Sequence, residues 1–245
     1  MKQLFVFLIA ASIGLAQTPA PKATPAKAAT AKTTPAKAKT PAPDLLNPST
    51  LKARAPAVYR VRLNTTKGEV ILEITRAWAP IGADRFYNLV RGGFFTNLAI
   101  FRVVRSPQPF MAQFGISPRP EVNRAWQNQT ILDDRPTQSN KRGTITFAAT
   151  GAPNSRGTQL FINYADNVFL DSMGFAPIGA VIQGMENVDK FYAGYGENGP
   201  DQGQFMAQGR AYTDKAFPML DHIIAATIVP IPAPAATPAP AANKK

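Results

Sequence analysis

Residues 58–229 of this chain of 245 residues predict a mainly β fold, a closed antiparallel barrel or a sandwich. Three observations carry that prediction. Short runs of alternating or β-branched residues recur between turn-forming glycines, prolines and asparagines. Helical spacing shows in two segments alone. The Ala-, Pro-, Lys- and Thr-rich stretch before this region and the similar tail after it have almost nothing to bury. A small barrel fills its interior with side chains, so a binding site would lie on its outer face or rim.

In chain order, VYRVRLNTTKGEVILEIT (58–75) gives two alternating runs about a TTKG turn, a β-hairpin. Pro80 suits the first turn of a helix, and Ala83, Phe86, Tyr87, Leu89 and Val90 keep helical spacing until Gly92 and Gly93 stop it. Leu98 to Val104 and Phe110 to Phe114 read as strands on either side of RSPQP. GTITFAATG (143–151) and QLFINYA (159–165) are strands joined by the turn-rich APNSRG. After LDSMG come a strand in FAPIGAVI and a short helix near Met185 to Tyr192. A long glycine-rich loop then leads to a last strand from Asp221 to Ile231.

The ends read differently. Residues 1–16, MKQLFVFLIAASIGLA, have an early lysine, an apolar run and small residues near Ala16, which is the grammar of a cleaved export signal. A membrane anchor is the competing reading, but a span needs about 20 apolar residues and this run is shorter. Residues 17–57 are rich in Ala, Pro, Lys and Thr, with TPAK at 24–27 and again at 34–37, and predict a disordered linker; residues 230–245 predict a similar tail. The formal charge is +12, yet between 58 and 229 there are 17 Lys and Arg against 14 Asp and Glu, so most of the excess lies in the ends. A solvated spacer accounts for it, with weak attachment to an acidic envelope surface as the alternative. Nothing in the folded unit reads as a specific nucleic-acid module.

The catalytic inventory is sparse. With no cysteine and one histidine, disulfides and Cys-His chemistry are excluded and a histidine-rich metal site is not expected. His222 falls in the last strand pattern and reads as structural. Asp133 and Asp134 precede Arg135-Pro136; neighbours on a strand point apart, so DDRP reads as turn chemistry rather than a catalytic carboxylate pair. GYGENGP (194–200) lacks the Gly-Lys-Ser/Thr of a phosphate cradle and reads as a surface loop. What remains is a set with neither nucleophile nor metal: Arg102, Phe110, Met111, Gln113, Gln159, Phe161, Phe169 and Leu170. Gln159 and Phe161 share a strand face, whereas Phe110 and Met111 do so only if the backbone is irregular there. By pattern alone the apolar members of this set also fit a plain core.

FRVV followed by PFMAQFG, then PNSRGTQLFIN, NVFLDSMGFAPIGAVIQGM, GYGENGP and FPMLDHI, resembles the cyclophilin family of peptidyl-prolyl cis–trans isomerases across residues 58–229. The resemblance implies an eight-stranded antiparallel β-barrel capped by two helices. It implies catalysis by Arg102, with Phe110, Met111, Gln113, Ala149, Thr150, Gly151, Gln159, Phe161, Phe169, Leu170 and Phe175 binding substrate. Ala149 to Gly151 fall on the family's Ala-Asn-Ala stretch, and Phe175 takes the place often held by histidine after a one-residue shift. No cofactor or metal is implied. The expected partners are proline-containing polypeptides, unfolded or newly exported, and the expected state is a monomer.

Two departures matter. Seven residues, VVRSPQP, separate Arg102 from Phe110 where the family pattern has four, so Arg105 stands as an alternative catalytic arginine. Phe169 replaces a tryptophan and removes an indole N–H, which should weaken binding of cyclosporin. The expected activity is isomerisation of X-Pro bonds during folding of exported chains. A proline-peptide-binding holdase or scaffold with little turnover is the alternative.

Overall fold

The computed structural model describes residues 44–231. The first hairpin forms where the alternation places it, β1 (Val58–Thr65) against β2 (Gly68–Thr75), with Val58 opposite Thr75 and Thr65 opposite Gly68. Tyr59, Val61 and Leu63 turn inward, each separated by one outward residue, as the period of two requires.

Helix α1 (Pro80–Arg91) opens on its proline and turns Ala83, Phe86, Leu89 and Val90 into the barrel core. Ala79 at its N-cap offers no side-chain acceptor. Asp134, more than fifty residues downstream, supplies one: its two carboxylate oxygens accept the N–H groups of Ile81 (3.0 Å) and Gly82 (2.8 Å). The same carboxylate pairs with Arg156 at 3.0 Å, and both side chains are almost fully buried. DDRP is therefore more than a turn, since Asp134 satisfies backbone donors that a helix start leaves orphaned.

The remaining strands are β3 (Leu98–Val104), β4 (Met111–Phe114), β5 (Thr144–Phe147), β6 (Leu160–Asn163), β7 (Pro177–Gln183) and β8 (His222–Val229). All pairings are antiparallel, in the closed order β1-β2-β7-β5-β6-β4-β3-β8, with β8 returning to β1. Eight strands in a closed barrel match the expectation. Five more short helices accompany α1 among the described residues: α2 (Pro120–Trp126), α3 (Phe169–Ser172), α4 (Met185–Val188), α5 (Gln202–Gln208) and α6 (Arg210–Ala216). The expected helix near 185–192 is the single turn α4. α1 and α2 both feed the central core, α2 through Val122 and Trp126. α5 and α6 occupy what reads in sequence as a long glycine-rich loop, and they form because Phe205 packs on Phe101 (ring centroids 6.1 Å) on the outer side of β3.

The expected linker, residues 17–57, is described from residue 44 onward, and that part is docked rather than free. Leu51 and Ala55 are buried, and a 3-10 turn covers Pro48–Thr50. Asn88 of α1 clips the strap from both sides, accepting from Ala53 N–H (2.9 Å) and donating to Ala53 O (2.7 Å); Asp84 accepts from Ala55 N–H (2.9 Å). The indole N–H of Trp126 donates to Leu45 O (2.8 Å). Side chains of α1 thus satisfy backbone groups that would otherwise be buried unpaired. The expected signal segment, the earlier part of the linker and residues 232–245 of the tail lie outside the described residues.

Candidate active site

β3 and β4 form a hairpin whose outer face carries the site. A register irregularity between Ile100 and Arg102 lets Ile100 and Val103 join the interior while Val104 joins an outer apolar cluster with Met111, Phe161 and Leu170. Arg102 then stands opposite Gln113, and Gln113 opposite Phe161, so one row crosses three strands. Met111 and Gln113 share this face by their spacing of two. Phe110 precedes β4, which frees its ring to reach the same side as Met111.

Residues 105–109 project as a loop without disturbing that register, because Phe110 N–H donates to Val104 O (2.9 Å) and closes the hairpin beneath it. Arg105 leaves the site altogether. Its guanidinium lies 5.0 Å over the Tyr164 ring, donates to Asp189 O and comes 4.0 Å from the Asp189 carboxylate.

Arg102, Phe110, Met111, Gln113, Ala149, Phe161, Leu170 and Phe175 line one pocket of about 270 Å³, joined by Ala148 and Gln202. Phe161 and Phe175 meet edge to face at 5.9 Å, and Arg102 lies 5.9 Å over the Phe110 ring. A second cavity of about 300 Å³ shares Gln113, Ala148, Ala149 and Gln202 with the first and adds Thr150 and Gln159. Gly151 and Phe169 line neither cavity. Gly151 is exposed, and Phe169 is 54% exposed at the pocket's margin, stacked on Phe110 at 6.0 Å. The Thr150 N–H already donates to Ser155 Oγ (2.9 Å), so its carbonyl is the backbone group left for a bound chain.

A polar row runs along the seam between the cavities. Arg102 Nη1 donates to Gln113 Oε1 (3.0 Å), Gln113 Nε2 to Gln159 Oε1 (2.8 Å), and Gln159 Nε2 to Gln202 Oε1 (3.0 Å). Each amide thereby has a fixed sense, with its oxygen toward the previous member. At the other end, Arg102 Nε and Nη2 each donate to Glu197 at 2.7 Å. Those hydrogen bonds hold the Glu197 carboxyl below the usual carboxylate range.

Gln202 and Glu197 escape the sequence reading. Both lie in GYGENGPDQGQ, and a signal was present: Asp201 with Gln204 three residues on is a helix-start pattern, and Asp201 does accept from Gln204 N–H (2.7 Å).

Helix α3, which presents Leu170 to the pocket, is held from the side. Asp171 accepts from Ser139 Oγ (2.5 Å) and from Asn140 N and Nδ2 (2.8 Å each). Burial raises the Asp171 pKa, but these hydrogen bonds outweigh it and the net shift is downward. His222 is half-buried in β8, where its N–H donates to Thr66 Oγ1 and burial lowers its pKa; it lines neither cavity. Among the described residues no group of three His, Asp or Glu converges as a metal site.

The arrangement is an apolar pocket edged by one fixed guanidinium, beside a polar seam that can hold an extended chain. It has the parts for holding a small apolar ring and directing a guanidinium N–H to an atom bound beside it.

Comparison with known proteins agrees with that chemistry. Residues 60–214 match the family model described as cyclophilin type peptidyl-prolyl cis-trans isomerase/CLD. A peptidyl-prolyl cis-trans isomerase of Acinetobacter baylyi is 33% identical over 144 residues, covering 57% of this chain and 75% of that protein. Peptidyl-prolyl cis-trans isomerase A of Dickeya dadantii is 34% identical over 147 residues, covering 58% and 76%. Among solved structures, a cyclophilin type isomerase of Cryptosporidium parvum superposes with a TM-score of 0.53 at 20% identity, over 71% of this chain and 99% of that one. A second structure of the same protein was determined in the presence of the dipeptide Ala-Pro (TM-score 0.52, 19% identity, covering 70% and 99%).

Proposed function

This chain belongs to the cyclophilin-type peptidyl-prolyl cis-trans isomerases, and from that membership we propose that Arg102 is its catalytic residue, acting on X-Pro bonds of exported polypeptides. Rotating an amide breaks its resonance, at a barrier of about 18–20 kcal/mol, and uncatalysed X-Pro exchange takes roughly tens to hundreds of seconds. In the twisted state the prolyl nitrogen regains its lone pair and the amide loses charge separation. A dry apolar pocket favours that less polar state over the planar one, and an N–H aimed at the nitrogen favours it further.

In this reading the proline ring sits against Phe110, Met111, Phe161, Leu170 and Phe175, the apolar wall of the smaller cavity. Gln113 and the Thr150 carbonyl hold the flanking chain. Arg102 stands at the edge of that wall with a permanently charged, rigid fork of donors. The position of Arg102 at the edge of the apolar pocket, with Arg105 turned away to Tyr164 and Asp189, is the observation that carries the reading. The Ala-Pro dipeptide used with the Cryptosporidium parvum protein supports proline peptides as the ligand class.

Arg102→Ala should lower kcat/KM on a proline peptide on the order of 10²-fold or more, the scale of removing one transition-state donor. Arg105→Ala should leave it within about twofold. The reverse order would assign the role to Arg105. Export rests on the apolar leader in residues 1–16, and its test is the N-terminal sequence of the secreted protein, expected to begin at Gln17.

A further inference from the structure

We infer that Glu197 is a positioning residue for the isomerase reaction: its carboxylate fixes the Arg102 guanidinium so that the remaining N–H groups face the proline pocket. The inference rests on Arg102 being the catalytic residue. It starts from donor accounting. A guanidinium has five N–H bonds. Glu197 takes one on Nε and one on Nη2, and Gln113 takes one on Nη1, which leaves one on each Nη for a substrate. An arginine held on two sides has few rotamers left to lose when the transition state forms, so its orientation is set before substrate arrives.

The loop that brings Glu197 is built for one place. Tyr195 packs its ring against Tyr192 and Phe217, both at 5.1 Å. Asn198 N–H donates to Tyr195 O (2.8 Å), and Gly199 presses so closely on β3 that a Cβ there would lie 2.6 Å from Phe101 O. Phe101 is the residue before Arg102, so the loop is anchored beside the side chain it engages. The Glu197 side chain is 58% exposed, and an ion pair so open to water contributes little to fold stability. Its geometry therefore matters more for where Arg102 points than for how tightly the barrel holds.

The test is a double-mutant cycle on purified protein, with kcat and KM for a proline peptide measured separately and thermal melting as the control for folding. Glu197→Ala should lower kcat about tenfold with KM unchanged, the signature of an interaction used in the transition state. Glu197→Gln keeps one acceptor oxygen and should fall between. In an Arg102→Ala background, Glu197→Ala should cost nothing further, because its effect passes through the arginine. The inference is overturned if Glu197→Ala turns over at the wild-type rate or faster, or if it costs the same tenfold with Arg102 absent. Arg102→Ala alone reads the underlying assignment: if it is fully active, that assignment fails, whereas an inactive Arg102→Ala beside a normal Glu197→Ala defeats this inference only.

Discussion

At the scale of single residues, two ion pairs show how burial decides what a contact is for. Arg102–Glu197 is partly open to water, at 30% and 58% side-chain exposure, and pairs of that kind are worth about 0–1 kcal/mol. Arg156–Asp134 is closed, at 4% and 2%, and removing one partner of a buried pair costs about 3–5 kcal/mol, toward the lower end here because Asp133 stays 3.3 Å from Arg156 Nε. Asp134→Ala should therefore lower unfolding free energy by that order in a urea titration, with the two orphaned N–H groups of α1 adding to the loss. A value under about 1 kcal/mol would deny Asp134 this anchoring role. At Phe169, exposed and stacked on Phe110, restoring an indole should supply a donor at the pocket margin. Phe169→Trp is expected to tighten cyclosporin binding, measured by calorimetry, while leaving proline-peptide turnover within about twofold. Phe110, Met111, Phe161 and Leu170 were legible as candidates through PFMAQFG, QLFIN and NVFLD, which resemble the family's motifs, whereas pattern alone let them fit a plain core as well. What sets them apart is that their face is the barrel's outside, and only the closed strand order reveals that.

At the scale of elements, the strands were legible because half-buried strands write their period of two directly into the sequence, as Tyr59, Val61 and Leu63 do. The short helices were not. α5 contains Gly203 and ends at Gly209, residues of low helix propensity, and it exists because Phe205 docks on Phe101. Glu197 and Gln202, which bracket the polar row, were hidden with it. α3 is a single turn with no side-chain cap of its own, and its tie to the neighbouring loop is Asp171. The folded-state pKa of Asp171 is depressed, so the stability it contributes is fully present above the unfolded value of about 3.9 and is lost as pH falls through the lower folded value. As pH falls through that depressed folded value, below the ordinary aspartate range, the Leu170 methyl signals in NMR should lose their pocket-shifted positions. Asp171→Asn should remove that acid step, and an unchanged step in the variant would assign it to another carboxylate.

At the scale of the whole molecule, the barrel places its site outside because its interior is full, with Phe86, Phe95, Phe114 and Phe147 all fully buried. The strap at residues 44–57 extends this core beyond the boundary that composition predicts at residue 58. Its signal was the return of apolar residues at Leu45, Leu46 and Leu51 after a stretch of Ala, Pro, Lys and Thr, too few to read as an element without Asn88 and Asp84 to receive them. Trimming the chain before Val58 should lower the thermal midpoint relative to trimming before Asp44, since the first cut exposes what Leu51 and Ala55 cover. Equal midpoints would mean that the strap adds nothing to the fold. What separates an isomerase from a holdase is that its pocket accelerates rotation rather than merely holding proline. NMR exchange spectroscopy on a proline peptide, with wild type and Arg102→Ala each at catalytic concentration, reads both quantities at once. Rapid cis–trans exchange is expected with wild type, and with Arg102→Ala peptide binding of similar affinity but exchange slower on the order of 10²-fold or more; wild type that binds without accelerating exchange, or Arg102→Ala that accelerates it as well as wild type does, would contradict catalysis by Arg102 at this pocket.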